Sequence, residues 1–219
     1  MNNEIHTALS YCGIHKPDAQ MEARARRIME EIKSTITPRL VWSVHPLKHQ
    51  KGQIWLEDWQ LPLEGEMART MLKDCTHVIA LAATLTSQFD RQLMVLQAKD
   101  MSEALIYDAC GSVYLESFLD QAQQDMAKRI CGRYLGDRFS CGYGDLPLSL
   151  QKNIAALMQL PERCGITVSD SCMMNPTKSV TAFIGIGDKP QPARIRGCAC
   201  CLMRENCPYR KEGTRCEIS

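Results

Sequence analysis

Residues 137–147 read DRFSCGYGDLP, and residues 165–187 read GITVSDSCMMNPTKSVTAFIGIG. The first stretch holds two glycines and a proline, a composition typical of a loop that approaches a ligand closely. In the second stretch, Lys178 to Gly187 alternates Val, Ala and Ile on one face with Ser, Thr, Phe and Gly on the other, which predicts a β-strand. Glycine weakens a strand, so we expect Gly185 and Gly187 to mark a bulge or a backbone pressed against a ligand or a neighbouring element.

Helical patterns lie between and before these stretches. Residues 149–160 predict a short amphipathic helix, and residues 102–133, which lack proline, predict the longest helix, capped by Ser102. At 100° per residue, the apolar stripe of that helix also contains Glu116 and Asp120. We therefore expect two inward carboxylates, unless the helix breaks or drifts near Gln121. The stripe comprises Leu105, Ile106, Ala109, Val113, Leu119, Ala127 and Ile130.

The first hundred residues alternate between helical and extended patterns. Helices are predicted over 17–37, 64–72 and 87–98, and strands over 40–44, 53–56 and 77–83. This alternation indicates that helices pack on a sheet. His45 and His49 stand near a turn at Gly52 without acidic or thiol partners at ligand spacing, so we expect surface or strand-end histidines.

The composition is that of a globular chain. Of 219 residues, 45% are hydrophobic and 23% are charged, and the net charge is +1. This excludes wholesale disorder and indicates neither a nucleic-acid footprint nor a polybasic membrane surface. The longest apolar run, residues 78–85, is far shorter than the roughly 20 residues that span a bilayer, and the start of the chain lacks a signal-peptide pattern. We expect a cytoplasmic protein.

Two motifs together resemble a known family. Arg138, Gly142 and Tyr143 spell RxxxGY, and residues 165–180 supply a downstream run that includes Asp170, Ser171 and the segment from Met173 to Ser179. This ordered pair resembles the activation domain of vitamin B12-dependent methionine synthase over about residues 70–187. The resemblance implies an α+β fold, a twisted antiparallel sheet with flanking helices, which we assign to residues 1–190.

The resemblance also implies an activity. Proteins of this family bind S-adenosylmethionine and present its methyl group to an oxidised, inactive cobalamin, while a flavodoxin or a ferredoxin-like donor supplies one electron. The chain has no DxHxxG cobalamin motif. The cobalamin is therefore expected on a partner, a methionine synthase or another corrinoid protein, and the chain is expected to act as a methyltransferase component. The alternative is a non-enzymatic partner that docks on the corrinoid protein or transfers electrons, using a metal or an iron–sulfur cluster held by the cysteines at the end of the chain.

The resemblance further implies binding residues for S-adenosylmethionine. Arg138 suits the ligand carboxylate through two hydrogen bonds, and Glu116 suits its ammonium and sulfonium. Gly142 permits close approach, and the ring of Tyr143 can face the cation. Cys141 and Ser179, one in each motif, complete the predicted set. No catalytic acid or base is expected, because methyl transfer is an in-line displacement that depends on positioning.

Cysteines are concentrated at the end of the chain. Of twelve, five lie between positions 198 and 216, namely Cys198, Cys200, Cys201, Cys207 and Cys216. The CxxC pair and the later thiols predict a metal-binding tail over residues 191–219, with Cys200 as a fifth thiol. Zinc and an iron–sulfur cluster suit four thiolates equally well, and a reduced tail without metal is the alternative. An iron–sulfur cluster there would let the tail relay the reducing electron. We expect the other seven cysteines to be core packing.

Overall fold

A computed structural model describes residues 2–50, 52–130 and 132–191, which form seven helices and eight strands. The helices are α1 (Asn2–Tyr11), α2 (Ala19–Thr35), α3 (Glu66–Leu72), α4 (Thr86–Lys99), α5 (Met101–Arg129), α6 (Leu150–Leu157) and α7 (Leu160–Arg163). The strands are β1 (Arg39–Gln50), β2 (Gln53–Leu56), β3 (Leu61–Leu63), β4 (Cys75–Thr84), β5 (Tyr134–Ser140), β6 (Thr167–Val168), β7 (Met174–Asn175) and β8 (Ser179–Gly187). No helix within these ranges is both long and apolar enough to cross a membrane.

Six of the strands form one antiparallel sheet in the order β3-β2-β1-β4-β8-β5, while β6 and β7 pair separately. This confirms the predicted α+β class with an antiparallel sheet and flanking helices. β8 lies between β4 and β5, so both of its edges are paired. Its residues from Thr181 to Gly187 are all buried, which shows that both faces of the strand are covered. Helix α1 and the β6–β7 hairpin were not expected.

The chain forms two compact units, each assembled from three segments. The first unit comprises residues 2–41, 83–124 and 159–180, and the second comprises residues 42–82, 125–158 and 181–191. The division of the sequence into residues 1–190 and a tail over 191–219 stays a prediction.

The first unit is built around a close approach between α4 and α5. The ring of Phe89, fully buried on α4, stacks on Tyr107 with their centroids 4.7 Å apart. A Cβ atom on Gly111 would lie 2.2 Å from Cζ of Phe89. Glycine is therefore required at position 111 because the phenylalanine ring occupies the place of a side chain.

The second unit uses the strand glycines in the same way. A Cβ on Gly185 would lie 2.5 Å from Sγ of Cys75 and 3.0 Å from Leu72, and one on Gly187 would lie 3.0 Å from the carbonyl of Asp74. The expectation of a pressed backbone at these glycines is confirmed. The element that presses on the strand is the α3–β4 segment.

Helix α5 begins differently from the sequence-based expectation. Oδ1 of Asp100 accepts hydrogen bonds from the backbone N–H groups of Ser102 (2.9 Å) and Glu103 (3.1 Å), so Asp100 caps the helix and the assignment of the cap to Ser102 is wrong. A single unbroken helix runs to Arg129.

His45 also departs from expectation. It is 4% exposed inside β1, and its ring lies between Ser43 and Asp58, so the prediction of a surface or strand-end histidine is wrong. The sequence does not reveal this contact, because Asp58 stands thirteen positions after His45. The two residues meet only when β1, β2 and β3 pair as a meander.

Candidate functional site

The first motif residue, Arg138, lies inside strand β5 and not in a loop. Arg138 pairs with Ile184 of β8 just after a register shift between Leu135 and Arg138, and it is 8% exposed. The predicted loop therefore begins later, because β8 keeps the backbone extended as far as Ser140. A bulge re-aims the side chains that follow it, and a buried guanidinium is suited to a ligand carboxylate.

Gly142 and Tyr143 lie in a tight turn directly after β5. Gly142 has φ +83° and donates its N–H to the carbonyl of Leu146 at 2.9 Å, while the N–H of Tyr143 donates to the carbonyl of Ser140 at 3.1 Å. A Cβ on Gly144, where φ is +60°, would lie 2.8 Å from Cε of Met67. The ring of Tyr143 stays 37% exposed. The turn thus presents a backbone and an aromatic ring to solvent within five residues of Arg138.

Asp145 fastens this turn to helix α3. Its carboxylate accepts the backbone N–H groups of Glu66 at 2.6 Å and Met67 at 2.8 Å, the first residues of that helix. The N–H donors of Met67 and Glu66 lower the pKa of Asp145. The sequence analysis missed this residue, because its partners are about 80 positions away in the chain.

Cys141 is 7% exposed, at the junction of β5 and the turn. Burial raises the pKa of its thiol to about 11. The group is therefore a neutral, packed thiol at ordinary pH, and its assignment to ligand binding stays a prediction.

Glu116 is exposed on α5, so the expectation that it points inward is wrong. Leu105, Glu116 and Ala127 are spaced by eleven residues, which is three helical turns, and all three are exposed. Most of the circumference of α5 is buried, so only a narrow strip of the helix faces solvent. Leu105 and Ala127 lie in that strip, and in the sequence they look like part of the apolar stripe. Burial raises the pKa of Tyr11 in the first unit, and the negative charge of Glu116 raises it further. Asp120 is half-buried.

Ser179 begins β8 in the first unit. Its Oγ donates to the carbonyl of Pro176 at 2.7 Å and lies 2.9 Å from Oγ1 of Thr84. Its neighbours in the downstream motif are also fixed to helices. Thr177 donates to Asp90 through its N–H (2.9 Å) and its hydroxyl (2.6 Å), and Nζ of Lys178 donates to Asp108 at 2.9 Å. The downstream motif is thus held rigidly by carboxylates that the sequence analysis did not single out.

The structure therefore brings together Arg138, Cys141, Gly142 and Tyr143 within the second unit. Glu116 and Ser179 belong to the first unit. Among the residues that the structure describes, no group of three or more His, Cys, Asp or Glu side chains could hold a metal ion. The thiols of the predicted metal-binding tail lie outside those residues.

The comparisons with known proteins bear on both motifs. Residues 92–192, slightly less than half of the chain, match the family model described as "Vitamin B12 dependent methionine synthase, activation domain". No curated protein is significantly similar in sequence. A solved structure similar to this fold is the crystal structure of the MetH reactivation domain bound to AdoHcy, with 13% identity, a TM-score of 0.60, and coverage of 98% of this chain and 83% of that one. Both motifs lie inside residues 92–192, so the resemblance to the activation domain of vitamin B12-dependent methionine synthase is confirmed for that segment of the chain.

Proposed function

We propose that this chain binds S-adenosylmethionine through the RxxxGY segment and presents its methyl group to a corrinoid carried by a partner protein. The observation that carries the proposal is a buried arginine, Arg138, on a bulged strand immediately before the Gly142–Tyr143 turn, inside the family match. The similar solved domain is bound to AdoHcy, the demethylated form of the same ligand, which supports this choice of ligand.

Each residue of the segment has a physical role in this proposal. The guanidinium of Arg138 binds the ligand carboxylate by two parallel charge-assisted hydrogen bonds, which fix the amino-acid end of the ligand. The ring face of Tyr143 stabilises the sulfonium, a contact worth about 0.5 to 2 kcal/mol. Gly142, whose φ is +83°, lets the backbone turn beside the ligand without a side chain in the way. These groups orient the methyl group, and none of them transfers a proton.

The docked partner protein would bring the corrinoid, which would supply the nucleophile. A flavodoxin or ferredoxin-like protein would supply the electron that reduces the corrinoid to its reactive form. The chain thereby acts as a methyltransferase component for reactivation of a methionine synthase or another corrinoid protein in the cytoplasm. The support for a corrinoid partner is the family match, whose description names a vitamin B12-dependent enzyme.

The binding step is tested by isothermal titration of the anaerobically purified chain with S-adenosylmethionine. Saturable binding is expected, and Arg138→Ala is expected to weaken it by about 10- to 100-fold, because a hydrogen bond to a charged group is worth about 1.5 to 3 kcal/mol. Arg138→Lys keeps the charge but loses the paired geometry, and it is expected to fall between the two.

Arg133→Ala is the matched control. Arg133 lies five residues earlier and pairs with Asp188 at 3.7 Å at the surface, so its loss should leave the affinity unchanged. Unchanged binding in a folded Arg138→Ala variant, or no binding by the wild-type chain at millimolar ligand, would contradict the proposal. Thermal unfolding of each variant separates lost binding from lost structure.

The cysteine-rich tail carries the second part of the proposal. We infer from its spacing that Cys198, Cys201, Cys207 and Cys216, with Cys200 nearby, bind zinc or an iron–sulfur cluster. Elemental analysis and the visible spectrum of the same anaerobic sample distinguish the two metals. Iron in the sample without binding of S-adenosylmethionine would favour the alternative function over methyl transfer. In that case the chain docks on the corrinoid protein or transfers electrons to it.

A further inference from the structure

A serine, a histidine and an aspartate form a hydrogen-bonded row in the second unit, outside the RxxxGY segment. Ser43 and His45 stand two positions apart on β1, so their side chains share one face of the strand. Oγ of Ser43 lies 2.6 Å from Nε2 of His45, and Oδ2 of Asp58 lies 2.7 Å from Nδ1 of the same ring. A nucleophile is thus hydrogen-bonded to a base, and the base is hydrogen-bonded to an acid that orients it.

The acceptor properties of these groups fix the direction of the hydrogen bonds. A carboxylate only accepts, so Nδ1 of His45 carries the ring proton and donates it to Asp58. In the neutral ring, Nε2 then has a free lone pair, which accepts the hydroxyl proton of Ser43. In this tautomer His45 is oriented to withdraw the proton of Ser43 as the oxygen attacks an electrophile.

The surroundings hold the base rigid and leave the nucleophile accessible. His45 is 4% exposed and packs on Trp59, with the ring centroids 3.9 Å apart, whereas Ser43 is partly exposed. The turn that presents Asp58 is fastened to β1, because the N–H of Glu57 donates to the carbonyl of Pro46 at 3.0 Å. The geometry of the row is therefore set by the meander of β1, β2 and β3.

We propose that Ser43, His45 and Asp58 form a nucleophilic site that takes small activated esters. Oγ of Ser43 attacks the carbonyl carbon, and its proton passes to Nε2 of His45. The alcohol leaves with that proton, and water then cleaves the acyl-serine to release the acid. Ester and water become acid and alcohol, so the step needs no further reactant. Ser43 and His45 are outside the predicted S-adenosylmethionine set, and the labelling of Ser43 is measured without that ligand, so this site is tested separately from the proposed function.

The test is labelling of the full-length chain with diisopropyl fluorophosphate, followed by peptide mapping with mass spectrometry. The oxygen of Ser43 forms a bond to phosphorus, the bond from phosphorus to fluorine breaks, fluoride leaves, and His45 takes the proton. We expect the adduct on Ser43, no adduct at this position in Ser43→Ala, and labelling slowed by at least about 100-fold in His45→Gln and in Asp58→Asn.

Ser10 provides a matched control within the same chain. Its hydroxyl lies 3.4 Å from Nδ1 of His15 at an exposed site, so it is a serine beside a histidine at a longer distance. We expect Ser10 to be labelled only at the background rate. Absence of the adduct on Ser43 in the folded wild-type chain, or equal labelling of Ser10 and Ser43, would overturn the proposal. Because both observations are made on the wild-type chain, a variant that fails to fold does not affect the result.

Discussion

Gly111 shows how one missing side chain allows two helices to approach. The ring of Phe89 occupies the space that a Cβ atom would take, at 2.2 Å. We expect Gly111→Ala to lower the free energy of unfolding by about 1 to 3 kcal/mol, the usual cost of overpacking, despite the better helix propensity of alanine. Urea unfolding measures the loss. Gly136→Ala is the control, because its nearest neighbour would be 3.8 Å from the new Cβ. Equal stability of the two variants would show that Phe89 moves freely.

We expect the cysteines in the described part of the chain to differ in their reactivity. Burial raises the pKa of Cys110 to about 12 and that of Cys141 to about 11, so almost none of either thiol is ionised at pH 8. Cys172, which is only half-buried, is expected to react with iodoacetamide at least about tenfold faster than either. Peptide mapping at timed intervals gives the rates. Urea should remove the difference, and fast alkylation of native Cys141 would contradict the packing described for it.

At the scale of the element, the turn after β5 depends on one carboxylate. Asp145 accepts the first two N–H groups of α3, so Asp145→Ala should release the turn that carries Gly142 and Tyr143. We expect a lower melting temperature and affinity for S-adenosylmethionine weakened several-fold. Asp145→Asn retains an acceptor oxygen and should restore part of both.

The control for this prediction is Asp188→Ala, which removes an exposed carboxylate that pairs with Arg133. It should leave both measurements unchanged. If Asp145→Ala binds the ligand as tightly as the wild-type chain, the turn does not need its anchor on α3.

At the scale of the whole molecule, acid should destabilise the fold through carboxylates that are paired in the native state. Burial raises the pKa of Glu4, but hydrogen bonds from Lys33 and Ser117 outweigh it, so the net pKa is lowered below 4.5. A lowered pKa in the folded state gives stability that is present above pH 4.5 and is lost as the pH falls through the folded value. Asp145 acts in the same direction.

The measurement is the melting temperature between pH 7 and pH 3. We expect it to fall below about pH 4.5, and we expect Glu4→Gln to flatten this part of the curve because its side chain no longer titrates. Glu64→Gln, at an exposed carboxyl, serves as the comparison and should keep the slope of the wild-type chain. An unchanged slope in Glu4→Gln would show that the Lys33 pair forms equally in the unfolded chain.

The sequence by itself determined the main helices and strands, because hydrophobic periodicity, caps and turn residues act within a few positions of each other. It placed α2, β4 and β8 within two residues of their observed bounds. It also determined the family resemblance, because RxxxGY and the downstream run are fixed in order and separation. The antiparallel α+β fold followed from that resemblance.

Only the tertiary structure decided which polar side chains meet. Asp145 reaches α3 across about 80 positions, and Asp58 reaches His45 across the pairing of β1 with β2, so no local pattern reveals either contact. Glu116 was misplaced for the same reason. Its face of α5 is exposed because other elements cover the rest of the helix, and the periodicity of a single helix does not record which of its sides is covered.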